Sequence, residues 1–175
     1  FEMNEEKVTS LTAISLILLK ETRLERGIHQ AQLAEKCSKT PSAWGKIETG
    51  KTTFTMEMFY CVCSALNTPP SAVMAATERY ANLFIQNGWA VLNSQLESED
   101  LLLSEAQEYY RSEGFKTRPP FSFFSGRGMA LNGPINMPNG QLDISDVFRF
   151  ALDIDFKSNQ MEKPEILDIN SLFKD

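Results

Sequence analysis

The sequence predicts an N-terminal all-α bundle of four to five helices followed by a smaller α+β domain. Three observations support this. Over residues 8–70, apolar side chains recur at helical spacing between capping residues and glycines. From Phe115 onward the texture changes, and Pro119, Pro120, Gly126, Gly128, Gly133, Pro134, Pro138 and Gly140 separate short apolar stretches. The charge also reverses along the chain: residues 20–51 carry seven Lys/Arg against four Asp/Glu, and residues 52–175 carry nine against sixteen. The expected domains are residues 8–70 and 71–175, with the boundary near 69–75.

The elements follow in order. Thr9 or Ser10 caps a first helix whose apolar positions Leu11, Ile14, Leu18 and Leu24 precede a stop at Gly27. A short second helix runs from Gln30 to Cys37, with Leu33, Ala34 and Cys37 on one face, and Ser38-Lys39 makes a tight connection. Thr40 caps a third helix with Pro41 at its first position, where the missing N–H costs nothing; Gly50 ends it. Thr55 caps a fourth with Met56, Phe59, Cys63 and Leu66 inward, closed by Pro69-Pro70. Residues 72–86 read as helix, Asn87-Gly88 as a stop and residues 89–92 as a strand, in preference to an Asn-Gly hairpin. A further helix passes through Leu101, Leu102, Ala106 and Tyr109 to Gly114. Residues 121–124 and 129–131 read as short strands, and 146–156 as strand or helix, because their apolar residues fit no single period. Phe121, Phe123, Phe124, Phe148, Phe150 and Phe156, with Trp89, Tyr109 and Tyr110, supply a second core and leave material for a pocket or an interface.

Composition excludes several classes. At 175 residues, with 42% hydrophobic and 23% charged, the chain has the make-up of an ordinary globular protein. The longest apolar run, residues 14–19, is broken by Ser15 and falls far short of the roughly 20 residues that cross a bilayer. Glu2, Asn4, Glu5 and Glu6 make the start acidic and polar, so no secretory leader is expected; Met3 is the expected natural start. Cys37, Cys61 and Cys63 lack the spacing of zinc ligands, and on a helix Cys61 and Cys63 point about 200° apart. They read as ordinary thiols of a reducing cytoplasm, Cys61 half-exposed and Cys63 in the core. No metal and no cofactor is expected. The single histidine, His29, has no catalytic company, and residues 71–175 contain no His and no Cys, so no enzyme is expected. Ser125-Gly126-Arg127-Gly128 reads as a glycine-rich turn, because no phosphate-loop lysine motif surrounds it.

The net charge of −6 disfavours nucleic acid for the chain as a whole, but the local surplus of +3 over residues 20–51 marks a contact module. The second and third helices, joined by their tight turn, make a helix-turn-helix. In that unit the second helix of the pair enters the major groove and the first crosses the backbone. Leu33, Ala34, Cys37, Trp44 and Ile47 supply the mutual core, and the outward face holds Pro41, Ser42, Ala43, Gly45, Lys46 and Thr49. Ser42 and Lys46, four apart, can reach base edges, and the Ala43 methyl can meet a thymine methyl. Gln30 sits in the first turn of the second helix, where its amide and the free backbone N–H groups can hold a phosphate. Gln32, Lys39 and Lys51 are further phosphate candidates, and Thr40 completes the expected DNA-contacting set.

These residues resemble the Cro/cI-type helix-turn-helix regulators, the lambda-repressor-like domain, over about residues 11–70. The likeness rests on Gln30, Leu33-Ala34 with Cys37, Ile47-Glu48-x-Gly50-Lys51, and Met56, Phe59, Cys63 and Leu66. It implies that Gln30 binds phosphate, that positions 41, 42 and 46 read bases, and that Glu48 bonds back to a basic residue of the first helix, here Arg23. The chain departs from the pattern at Ser38, where Gly is usual, and at Lys39, where Val or Ile usually plugs the core. Pro41 and Gly45 leave few polar readers, so DNA shape or an arm from residues 1–10 is an added expectation.

The expected protein is a cytoplasmic transcription regulator, a repressor on a palindromic operator, binding double-stranded DNA as a homodimer through its acidic second half. Two alternatives stand beside it. One is an antitoxin that wraps a toxin and autoregulates. The other is a regulator whose second half takes a peptide, small-molecule or anti-repressor effector.

Overall fold

The computed structural model describes residues 6–121 and 128–162. Strand β1 (Val8–Ser10) leads directly into helix α1 (Leu11–Glu25), whose N-cap Ser10 accepts a bond from Ala13 N at 3.1 Å. Helices α2 (Gln30–Lys36), α3 (Pro41–Glu48), α4 (Met56–Ala65) and α5 (Pro70–Gln86) follow. Gly27 and Gly50 take φ of +64° and +74° where α1 and α3 end, the left-handed turn that glycine adopts without a Cβ penalty. Ser38 takes the same region, at φ +54°, in the turn between α2 and α3. Thr40 and Thr55 cap α3 and α4 by accepting from Ala43 N and Met58 N.

The expected stop and strand after α5 are present: β2 (Ala90–Leu92) pairs in parallel with β1, Val8 opposite Ala90 and Ser10 opposite Leu92. Residues 8–10 are therefore not a DNA arm, because Thr9 and Ser10 are fully buried in this pairing. Residues 1–5 of that expected arm lie outside the described residues.

The remainder mixes helices with short strands. It comprises α6 (Leu101–Arg111), α7 (Glu113–Thr117), a 3-10 turn at Ala130–Asn132, the antiparallel pair β3 (Ile135–Asn136) and β4 (Leu142–Asp143), α8 (Asp146–Leu152) and α9 (Ile154–Met161). The strand expected at 129–131 is this 3-10 turn. Its backbone groups are taken by side chains rather than by a ladder: Glu25 accepts from Ala130 N at 2.7 Å, and Arg79 donates to the carbonyls of Leu131 and Gly133. Residues 146–156 resist a single period because they form two helices, broken at Asp153, whose carboxylate caps α9 at Phe156 N. The strand expected at 121–124 falls, from 122 on, outside the described residues. Among the described residues, no helix is long and apolar enough to cross a membrane.

Helix α1 is buried on opposite sides. Ala13, Ile14, Ile17 and Leu18 face one apolar cluster, with Tyr80 and Phe84 of α5, Trp89, Tyr109 of α6, and Phe148 and Phe150 of α8. Here Tyr80 stacks on Phe148 at 4.2 Å and Phe84 meets Trp89 edge-on, so part of the expected aromatic set is core. Leu16 and Leu19 face a second cluster, with Leu33, Ala34, Trp44, Ile47, Phe59, Val62, Cys63, Leu66 and Val73.

Candidate nucleic-acid interface

The second cluster fixes α2 and α3 against each other. Leu33, Ala34, Trp44 and Ile47 are buried, and Cys37 packs against them half-exposed. With those positions spent on packing, Pro41, Ser42 and Lys46 of α3 are left exposed on the far side, and Ala43 and Gly45 half-buried. Thr49 does not join this face with its hydroxyl, which donates back to the carbonyl of Gly45 at 2.8 Å. At Gly45 an added Cβ would meet only Gln30 Nε2, at an ordinary contact distance of 3.8 Å. Packing therefore does not demand glycine there.

A polar knot holds α1, α2 and α3 together. Arg23 Nε donates to Glu48 Oε1 at 2.9 Å, and its Nη1 donates to the carbonyl of Ile28 at 2.9 Å. Gln30 Nε2 donates to Glu48 Oε2 at 2.9 Å. Arg23 and Glu48 are both buried, so the charge-assisted bonds run in a setting shielded from water. The partnership expected of Arg23 and Glu48 is thus present. Gln30 is partly engaged by it: one amide N–H is held by Glu48 and the other is left for an outside acceptor. In the first turn of α2, Gln32 N donates to the His29 carbonyl at 3.0 Å, and the N–H groups of Gln30 and Ala31 have no partner among the described residues.

Each remaining residue of the expected set can be placed. Gln32 is exposed, and its Oε1 accepts from His29 N at 2.9 Å, which makes it a cap of α2 as well as a surface amide. Lys39, Thr40 and Lys51 are exposed, Lys39 in the turn before α3 and Lys51 just after α3. Lys39, Lys46 and Lys51 have no ion-pair partner among the described residues. Lys39 does not plug the core. Lys20, half-buried with its Nζ 3.9 Å from the Tyr110 ring centroid, is held below its ordinary pKa by desolvation, against the attraction of Glu48.

Sequence reasoning missed Gln95. Its amide donates to the carbonyls of Gly50 and Thr52, both at 3.2 Å, and its Oε1 accepts from Phe54 N at 3.0 Å. One side chain from the second half thereby ties down the loop that follows α3. A lone glutamine in a polar stretch carries no local signal of such a role. Trp44 Nε1 is buried without a hydrogen-bond partner among the described residues.

A helix-turn-helix family model matches residues 19–73, the span of α2, α3 and the helices that frame them. The matched region is thus similar to a helix-turn-helix, a unit whose second helix enters the DNA major groove where it binds. No curated protein and no solved structure matches the chain.

Proposed function

With residues 19–73 a helix-turn-helix, we propose that the chain is a sequence-specific repressor that occupies a palindromic operator as a homodimer in the cytoplasm. The observation that carries the reading is the exposed face of α3, where Pro41, Ser42 and Lys46 stand clear of a buried frame. Ser42 and Lys46 reach base edges, Lys46 suits guanine O6 and N7, and the Ala43 methyl lies between them. Gln30, Gln32, Lys39, Thr40 and Lys51 border that face and hold phosphates, which sets register without reading sequence.

Residues 8–70 contact DNA in this reading, and residues 71–175 make the dimer. Exposed Ile135 and Leu142 on the β3–β4 pair, Met137 in the segment between those strands, and Ile154 on α9 at 78% exposure support that division. The acidic balance of the second half repels DNA and keeps it off the groove. Two copies related by a two-fold axis match half-sites about 34 Å apart. The mechanism is occupancy: a filled operator changes polymerase access, and no bond is made or broken.

The test is selection of bound duplexes from a random library with the purified chain. The expected result is a palindromic consensus with half-sites one helical turn, or a multiple of it, apart. Retention of unrelated duplexes without a consensus would contradict the reading. A consensus without symmetry would contradict the dimer.

A further inference from the structure

We propose that Cys37 and Cys61 are a redox-active dithiol that oxidises to an intramolecular disulfide, a modification site inside the helix-turn-helix. Cys37 is the residue that closes α2, and Cys61 lies on α4. The Cys61 thiol donates to Cys37 Sγ with the sulfurs 2.8 Å apart, against about 2.05 Å for a disulfide bond. Side-chain adjustment brings the two sulfurs to bonding distance; the helices need not part. Both thiols are partly exposed, so a small oxidant reaches them. Cys63, two positions further along α4, is fully buried in the apolar cluster and turns away from the pair.

The oxidant class is a hydroperoxide. The sulfur of one thiolate attacks a peroxide oxygen and the O–O bond breaks; with hydrogen peroxide, the departing hydroxide takes up a proton as water and a sulfenic acid remains. The second sulfur then attacks the sulfenic sulfur, the S–S bond forms and the S–O bond breaks, and the second oxygen leaves as water. The two thiols lose two electrons and the peroxide gains them, giving one disulfide and two waters. Burial, with the facing sulfur adding to it, pushes the Cys37 thiol up to about 12. Held as a thiol, Cys37 is the sulfur that closes the bond after the oxidant has been met at Cys61.

The sulfurs lie 24 positions apart in sequence, so the closed loop encloses the turn, all of α3 and the loop that Gln95 holds. Closing it removes freedom from the unfolded chain and fastens the end of α2 to α4 around the exposed helix.

The test treats the folded full chain with hydrogen peroxide, traps free thiols with an alkylating reagent, and maps peptides by mass spectrometry before and after a thiol reductant. The expected result is a fall from three free thiols to one, a linked peptide pair holding Cys37 and Cys61, and no covalent dimer. The link should be reversible by the reductant, with a higher Tm in the oxidised form. The Cys63→Ala variant forms the same link, and Cys61→Ser forms none. Sulfoxide at exposed Met56 shows that the oxidant acted. Three free thiols under those conditions, a link through Cys63, a covalent dimer as the product, or oxidation stopping at an acid on Cys61 would each overturn the proposal. None of these readouts depends on DNA binding.

Discussion

Glu48 accepts from Arg23 with both oxygens and from Gln30 with Oε2, and so binds three helices through a single carboxylate. Only 8% of Glu48 and 6% of Arg23 is exposed, so removing either partner strands the other in a place water does not reach. Glu48→Ala is expected to lose about 3–5 kcal/mol of stability in urea unfolding, because the Arg23 charge is left buried without its partner. A loss below about 1 kcal/mol would mean that the pair behaves like a surface ion pair. Gly45 makes the opposite case. Helical backbone, with only an ordinary van der Waals contact where a Cβ would stand, makes Gly45→Ala stabilising by about 0.5–1 kcal/mol, seen as a raised denaturation midpoint. Gly50 differs again: with φ at +74° and Leu103 where a Cβ would stand, Gly50→Ala is expected to destabilise the chain by the same assay.

The elements that were legible in the sequence are those whose signal is local. Ser10, Thr40 and Thr55 each cap a helix through an amide three residues ahead, and Pro41 marks the first position of α3, so a few adjacent residues suffice. The Arg23–Glu48 bridge was legible through the family resemblance. What stayed hidden depends on contacts across the chain. The 3-10 turn at Ala130–Asn132 takes its shape from Glu25 and Arg79, 105 and about 50 positions away. Strands β1, β3 and β4, of two or three residues each, carry no usable period, and the Cys37–Cys61 pair exists only once α2 lies against α4. Gln95 belongs to the same group. Gln95→Ala removes three bonds from the loop after α3 and is expected to cost about 1–3 kcal/mol, with faster amide exchange at Phe54. Unchanged exchange at Phe54 would show that the loop holds itself.

Across the whole molecule, α1 joins what the sequence divides. It feeds both apolar clusters, β1 pairs with β2, and the Thr9 hydroxyl donates to Asp100, the cap of α6. A fragment of residues 8–70 is therefore expected to unfold at lower temperature than the full chain, because it bares the α1 face that meets Tyr80, Phe84 and Phe148. An equal Tm would contradict this coupling. Acid response belongs to this scale too. Burial raises the Glu25 pKa above its ordinary 4.5, outweighing the bond from Ala130 N and the nearby Arg118 and Arg26, while Glu21 adds to the rise. The folded state thus holds this proton more tightly than the unfolded chain, and the group makes stability fall as pH rises from 4.5 through the folded pKa. Glu25→Gln keeps an acceptor for Ala130 N. It should remove that slope and stabilise the chain at neutral pH, as urea unfolding across a pH series would show.

The central claim is that the exposed face of α3 reads bases. The direct measurement compares the wild type with Ser42→Ala/Lys46→Ala on the duplex the wild type selects and on a scrambled duplex, at two salt concentrations. The account predicts that the variant loses about 1–3 kcal/mol on the selected duplex and little on the scrambled one, so the two affinities converge at either salt. An unchanged ratio between the two duplexes would contradict it and move sequence reading away from α3.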